Sequence, residues 1–412
     1  MNLLYITYDG LTDFIGQSQV MPYLMGCAGQ ENRLTVISFE KPDRVARIGD
    51  QVARQCREAG IFRLPQRFHS NPPIVAKLVD QMAMRRAAFA ASEGVRYDLV
   101  HCRSYPAAVA GLAVKQRYGT PLLFDMRGFW PDQRREGGRW RPDSVMGRWL
   151  YDRWKRHEAQ LISSADHIVV LTHAAKQEIQ TWPSYRNAPI SVIPCCTDFN
   201  HFAIADPNSA QEARRRLGIP DDAPVLAYLG SAGTVYRIGD HLKLFAAIKA
   251  RDQRARALFI GRDGVADIMA MAAAAGVNLD PNDMFVVAAE RGDVPYWLGA
   301  ADVASCFIIP GYSSKGVSPT KLAEYLACGI PVIANRSVGD VDQIIHRLDA
   351  GHVMPDFECL SMDAAAEAFL SLQHSDRPAL RQRARPFDIS HAIDAYRSIY
   401  RDPATAVQVG LK

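Results

Sequence analysis

Ser318-Pro-Thr-Lys-Leu-Ala-Glu-Tyr-Leu-Ala-Cys-Gly-Ile-Pro-Val-Ile-Ala334 reads as a short helix feeding a buried strand. Ser318 suits an N-cap and Pro319 the first helical position, where a missing N–H costs nothing. The same alternation of short apolar run and helical pattern extends through the chain. Leu3–Tyr8, Leu34–Phe39, Leu99–Arg103, Pro121–Asp125, His167–Leu171 and Ile190–Pro194 read as buried parallel strands. After Asp206-Pro-Asn-Ser209 and a charged helix Ala210–Leu217 the rhythm restarts with Val225–Gly230, Ala257–Ile260, Met284–Ala288, Asp302–Ile308 and Ile330–Ala334. Two successive βα series predict an α/β protein of two doubly wound, Rossmann-like domains. Pro207, Pro220 and Pro224 place the linker near residues 200–223. The expected division is 1–203, 204–385, and a C-terminal segment 386–412 whose amphipathic pattern Ile389–Ile399 closes back toward the first domain. Such domains are expected to face a central cleft, with ligands at the carboxyl ends of the strands.

Composition narrows the function. With 412 residues, 48% hydrophobic and 22% charged, the chain can bury two cores and is not disordered. Residues 1–200 hold 26 Lys and Arg against 19 Asp and Glu, a balance of +7, while the remaining 22 against 25 give −3. That bias is too mild for nucleic acid, and no nucleic-acid-reading motif is present; an anionic small ligand or membrane surface fits better. Eight cysteines show neither Cys-x-x-Cys nor metal-ligand spacing and read as small core residues in a reducing compartment. No run of 18 apolar residues exists and the start lacks a signal-peptide pattern, so the expected location is the cytoplasm, including the inner face of the membrane. No catalytic Ser/His/Asp triad, metal cluster or phosphate-binding Walker motif is visible.

The segment before the quoted helix, Pro310-Gly-Tyr-Ser-Ser-Lys-Gly316, is a flexible post-strand loop. A glycine-containing turn delivering the chain to a helix N-terminus offers free N–H groups and a positive dipole, which suits phosphate. Lys321 adds a point charge, Thr320 a hydroxyl, and Glu324, four residues on, a carboxylate suited to a ribose diol. The ligand implied is a nucleoside diphosphate. The competing reading is a capped surface helix with a Lys321–Glu324 ion pair.

These residues also carry a resemblance. Ser318–Ala334 is similar to the signature of family 4 of the retaining, GT-B-fold glycosyltransferases, whose second domain carries Glu-x7-Glu before Ala-x-Gly-x-Pro-Val-Ile. Glu324 matches the second glutamate, which in that family holds the donor ribose; Gly316 stands where the first is often found. Ser164–Thr172, Val192–Phe202 and Leu298–Val303 resemble further family segments, in the same order and at domain-scale spacing. The resemblance implies sugar transfer from a nucleoside diphosphate sugar to a saccharide or lipid-linked saccharide acceptor, with retention and without a metal ion or other cofactor. The donor would sit on the second domain, contacted by Gly230, Ser231, Gly233, Gly316, Val317, Ser318, Thr320 and Glu324. Lys321 and Arg237 would neutralise the departing pyrophosphate. In the family the loop after the first strand of this domain supplies Arg and Lys; here Ser231 replaces the arginine and Arg237 sits one place from the lysine. A plain turn with a solvated Arg237 competes.

In the first domain, Asp9–Gln19 invites comparison with a dinucleotide fingerprint, with Glu40 ending the next strand, but Gly10 and Gly16 do not make G-x-G-x-x-G. Gly16 and Gln17 are instead expected to approach the donor phosphates or acceptor. In Leu123–Gln133, Asp125 could accept from a hydroxyl and Arg127 steady leaving-group charge; a mutual Asp125–Arg127 bridge competes. The predicted catalytic set is therefore Lys321, Arg237, Asp125 and Arg127. His101, Arg103, Trp130 and Asp132 are expected on the acceptor side. From Arg127 to Arg156 the chain has nine basic residues, four acidic ones and tryptophans at 130, 140, 149 and 154, a composition that suits a lipid interface or stacked sugars; a core stripe with a solvated basic face competes. Outside transfer, a sugar-nucleotide epimerase and a non-catalytic nucleotide-sugar binder stay open.

Overall fold

The structure, a computed structural model, describes residues 1–29, 31–231 and 235–410. The chain forms two compact units, Met1–Pro194 with Ile389–Gly410, and Cys195–Asp388. The chain passes to the second unit at 195, before the predicted 203. Phe199 and Phe202 are wholly buried in that unit's core beside Leu380 and Phe387, and Arg381 donates to the carbonyls of both phenylalanines. The return to the first unit comes at 389 rather than 386.

The first unit is a seven-stranded parallel sheet: β1 (Asn2–Thr7), β2 (Arg33–Glu40), β3 (Ile61–Arg67), β4 (Leu99–Arg103), β5 (Leu122–Asp125), β6 (His167–Val170) and β7 (Ile190–Val192), in the order β3-β2-β1-β4-β5-β6-β7. The second contains β8 (Val225–Leu229), β9 (Arg256–Ile260), β10 (Met284–Val287), β11 (Val303–Cys306), β12 (Val332–Asn335) and β13 (Gly351–Met354), in the order β10-β9-β8-β11-β12-β13. Both are doubly wound. Strand order reverses between β1 and β4 and again between β8 and β11, and crevices at such switch points are where ligands bind.

The interior strands are buried on both faces, as parallel strands covered by helices must be. In β8, Leu226 and Tyr228 pack with Leu242, Phe245 and Phe369, while Val225, Ala227 and Leu229 pack with Leu322, Tyr325 and Leu326. Two strands escaped the sequence reading. β3 is an edge strand whose residues alternate in exposure and include Pro65, which an edge tolerates; β13 is a short edge strand that starts at a glycine.

The helix Ile389–Arg401 is integral to the first unit. It packs on the helix Met21–Cys27 and buries Ala392, Ala395, Tyr396, Ile399 and Tyr400. Beyond it, Val407 and Val409 pair with Val192 of β7.

Candidate functional site

At the switch point of the second sheet, β8 gives way to Gly230, whose φ of +108° favours glycine. The helix Thr320–Ala327 is tied there because the Tyr325 hydroxyl accepts the Leu229 N–H at 2.8 Å. That bond puts Lys321 beside Gly230: a Cβ at 230 would stand 3.5 Å from the ammonium. Lys321 is 5% exposed, and its Nζ has no hydrogen-bond partner among the described residues. It lies 3.7 Å from the ring centroid of Tyr236 and 4.2 Å from that of Tyr228, so cation–π attraction is what holds the charge. Burial pulls its pKa down to about 8, with Cys306 and Glu324 opposing. Behind it, His241 Nδ1 meets Ser305 Oγ at 2.6 Å. Burial, with Lys321 assisting, holds His241 down to about 3 and therefore neutral. A buried cation held chiefly by aromatic rings is complementary to an incoming anion.

The start of the helix departs from expectation. Pro319, not Ser318, is the N-cap residue, and no side chain caps the first turn. Ser318 Oγ instead accepts the Cys195 N–H at 3.1 Å, so its hydroxyl anchors the entry of the chain into this unit. The first-turn amides therefore keep their capacity for an external acceptor. Thr320 is half-buried at that first turn. Ser314 shapes the preceding loop, its Oγ meeting the carbonyls of Gly311 and Ser337 at 2.7 Å each. Gly316 is buried at the end of the 3₁₀ turn Ser313–Gly316, and half-buried Val317 donates to the Ser314 carbonyl. Asn335 at the end of β12 makes reciprocal bonds with the Ile308 backbone, at 2.9 and 3.0 Å. Glu324 Oε1 accepts from Arg291 Nη1 at 2.9 Å. Arg237 is engaged internally, with Nε 2.5 Å from Asp240 and its guanidinium 4.1 Å from the Phe357 centroid. Ser231 is exposed, its carbonyl accepting from Tyr228; Gly233 lies outside the described residues.

The first unit gathers a second cluster at its own switch point. A small pocket there is lined by Gln19, His101, Arg103, Asp125, Arg127 and Tyr396, among others. His101 Nδ1 is 2.8 Å from the Tyr400 hydroxyl and Tyr396 donates to Asp125 Oδ2 at 3.2 Å. Arg103 and Arg127 each approach Asp125 to 3.9 Å and both donate to Gln19 Oε1, at 3.3 and 2.8 Å. Burial opposes ionisation of Asp125, yet Arg127, His101 and Arg103 hold its carboxyl below the usual range. Burial pulls His101 down. Asp125 Oδ1 and His101 Nε2 have no hydrogen-bond partner in this pocket.

Two family models match the chain in series: glycosyltransferase family 4 over residues 25–201, and glycosyl transferases group 1 over residues 209–386. The chain belongs to the group 1 glycosyltransferases. Among relatives of this glycosyltransferase, the D-inositol 3-phosphate glycosyltransferase of Nocardiopsis dassonvillei is 25% identical over 342 residues, 76% of this chain and 72% of that protein. Its counterpart from Kineococcus radiotolerans is 24% identical over 416 residues, 87% of this chain and 89% of that one. Similar solved structures include HepE of Anabaena in complex with UDP and glucose (TM-score 0.68, 15% identity, 98% of this chain and 100% of that one). Another is WaaG, a glycosyltransferase involved in lipopolysaccharide biosynthesis (TM-score 0.67, 14% identity, 97% and 100%). These likenesses establish the GT-B fold.

Not every residue singled out in the glycosyltransferase sequence reaches a switch point free to act. Gln17 Nε2 donates to the Leu11 carbonyl at 2.6 Å, and a Cβ on Gly16 would lie 1.9 Å from the Gly10 carbonyl oxygen. Both residues therefore fold their own loop. Asp132 is buried, accepting from Tyr151 at 2.7 Å and Lys155 at 3.1 Å, which removes it from the acceptor side. Trp130 is likewise structural, its ring centroid 4.7 Å from that of Trp154 and 5.2 Å from that of Trp140. Tyr228, Tyr236, Arg291 and Asn335 were absent from the sequence reading because nothing in their local pattern distinguishes them from core or loop residues. Among the described residues no group of three or more His, Cys, Asp or Glu could hold a metal ion, and no helix is long and apolar enough to cross a membrane.

Proposed function

We propose that this glycosyltransferase moves a sugar from a nucleoside diphosphate sugar to an acceptor hydroxyl with retention of configuration, without a metal ion, in surface polysaccharide or glycolipid assembly. One observation carries the donor reading: the unpartnered, buried ammonium of Lys321 at an uncapped helix start beside Gly230. As the sugar–phosphate bond breaks, negative charge grows on the pyrophosphate, and a preorganised cation in a dry site stabilises it far better than water can. Amides of the first helical turn add their dipole. Glu324, braced by Arg291, presents a carboxylate to the ribose diol, and Arg237 reaches the phosphates on exchanging Asp240 for them. In the first unit Arg127 faces the acceptor, with Asp125 as the buried counter-charge that orients it. HepE's complexes with UDP and the inositol phosphate acceptors in the relatives' names support this class of donor and acceptor.

Lys321→Met, which retains an apolar stem of similar length, tests the assignment. Turnover of UDP-glucose, GDP-mannose and related donors should fall about 10²- to 10³-fold, while the Tm is kept or raised because a buried unpaired charge is gone. A fully active variant would remove Lys321 from the mechanism. Product NMR then reads the anomeric configuration, and chelator-insensitive turnover is expected. An isomerised donor would signify an epimerase, and an unchanged donor a binding protein.

A further inference from the structure

The helix Pro73–Ser92 is apolar on the side that faces away from its own sheet. Its buried column is Ala76, Asp80, Met84 and Ala88, one residue per turn. The opposite side presents Ile74, Val75, Leu78, Val79 and Met82, each between 38% and 54% exposed. Five large apolar side chains over two to three turns form a continuous strip, unlike the scattered apolar residues of an ordinary surface. The helix's one acidic residue, Asp80, is fully buried and taken up by Tyr8 and His69, whereas Lys77, Arg85 and Arg86 are exposed. The outer surface is therefore apolar at its start and purely cationic beyond.

A second element repeats the pattern. The helix Val145–Ser164 opens with Val145, Met146 and Trp149, 75%, 49% and 50% exposed, with Arg148 and Arg153 exposed and Arg153 stacked 5.7 Å over the Trp149 ring. The helix Ser104–Tyr118 packs against both. One helix follows β3 and the other runs back to β6, so both begin at the carboxyl edge of the same parallel sheet.

We propose that this edge of the first unit docks on an anionic lipid bilayer, with Ile74, Leu78 and Met82 and the Val145–Trp149 turn entering the headgroup boundary and the flanking Lys and Arg meeting acidic headgroups. Apolar insertion joined to a net basic surface, on which exposed Asp143 and Asp152 are outnumbered by Lys77, Arg85, Arg86, Arg148 and Arg153, matches an anionic bilayer interface; the +7 balance of residues 1–200 agrees in sign. Docking does not rest on the transferase reading, since it uses none of the donor residues.

The full-length chain is floated with vesicles of phosphatidylcholine alone or mixed with phosphatidylglycerol, without donor. Binding is expected only to the mixed vesicles and should weaken with salt. Ile74→Asp with Leu78→Asp should lower the bound fraction about tenfold or more, and Trp149→Ala should lower it less. Leu360→Asp, at an 85% exposed site of the second unit, should leave it unchanged. Circular dichroism and the calorimetric transition of the first unit check that each variant is folded. Absence of binding to mixed vesicles at low salt, or binding that survives the double substitution, overturns the proposal. So does a concentration-dependent dimer in sedimentation that the double substitution dissolves, because the strip would then face a second copy. None of these outcomes touches the donor-site reading, which Lys321→Met tests separately.

Discussion

An ammonium buried against two phenol rings, with no hydrogen bond among the described residues, is costly in the free protein and ready for an anion. Its pKa near 8, against 10.5 unfolded, gives the cost a pH window. Below about 8 both states hold the proton and the desolvation penalty stands in full. Between about 8 and 10.5 the unfolded chain binds more protons than the native one, so this group makes stability rise with pH. Ligand affinity runs the other way. Pyrophosphate needs the charged form, so UDP affinity should fall as pH climbs through about 8, by roughly tenfold per unit well above it. Calorimetric titration with UDP at a series of pH values checks this, and Lys321→Arg should flatten the dependence because guanidinium stays charged. The helix that carries Thr320, Lys321 and Glu324 was legible in the sequence because a helix start has a local signature. Tyr228 and Tyr236, which hold the ammonium, come from a strand and a loop some 85 to 93 residues earlier, and no periodicity announces such a meeting. Ser318 was misassigned for a related reason: its hydroxyl serves the distant Cys195 N–H rather than its own helix.

Loops are elements too, and the one after β1 owes its shape to a single carboxylate. Glu40, at the end of β2, accepts from the amides of Leu11 and Thr12 at 3.0 and 3.1 Å and from the Thr12 and Ser38 hydroxyls at 2.7 Å each. The position that in a dinucleotide-binding fold would meet a ribose is thus spent on the protein's own backbone. Burial opposes ionisation, but those bonds hold the Glu40 pKa below the usual glutamate value. Its stabilising contribution is therefore present above the unfolded pKa and lost as pH falls through the folded one. Glu40→Gln turns one acceptor into an NH₂ that faces donors and should cost about 2–3 kcal/mol, read by urea denaturation; the variant should also lose part of the acid sensitivity. A variant as stable as the parent would show that the loop holds itself. The interior strands were legible because burial on both faces leaves unbroken apolar runs. β3 and β13 were not, because edge strands need only half of that pattern and admit proline or glycine.

At the scale of the whole chain, the first unit is discontinuous: its core is completed by residues that follow the entire second unit. The amphipathic period of 389–399 made the helix legible. What it binds was not, since the groups it serves lie about 270 to 300 residues upstream. Tyr396 donates to buried Asp125 and Tyr400 meets His101, so the helix satisfies polar groups as well as covering apolar ones. A chain ended at Asp388 should therefore lose more than one helix. Asp125 and His101 would forfeit their hydroxyl partners, Met21–Cys27 its packing face, and β7 its pairing with Val407 and Val409. We expect calorimetry of the truncated chain to lack the transition of the first unit, while that of the second, whose strands and core are its own, persists. UDP binding should survive, because every donor-side residue assigned above belongs to Cys195–Asp388, whereas transfer to an acceptor should vanish. Tyr396→Phe isolates the polar part and should cost about 1–2 kcal/mol by removing one bond to a buried carboxylate. If the truncated chain kept both transitions, the helix would be a cover rather than a component, and Asp125 would have to draw its compensation from Arg127, His101 and Arg103 alone.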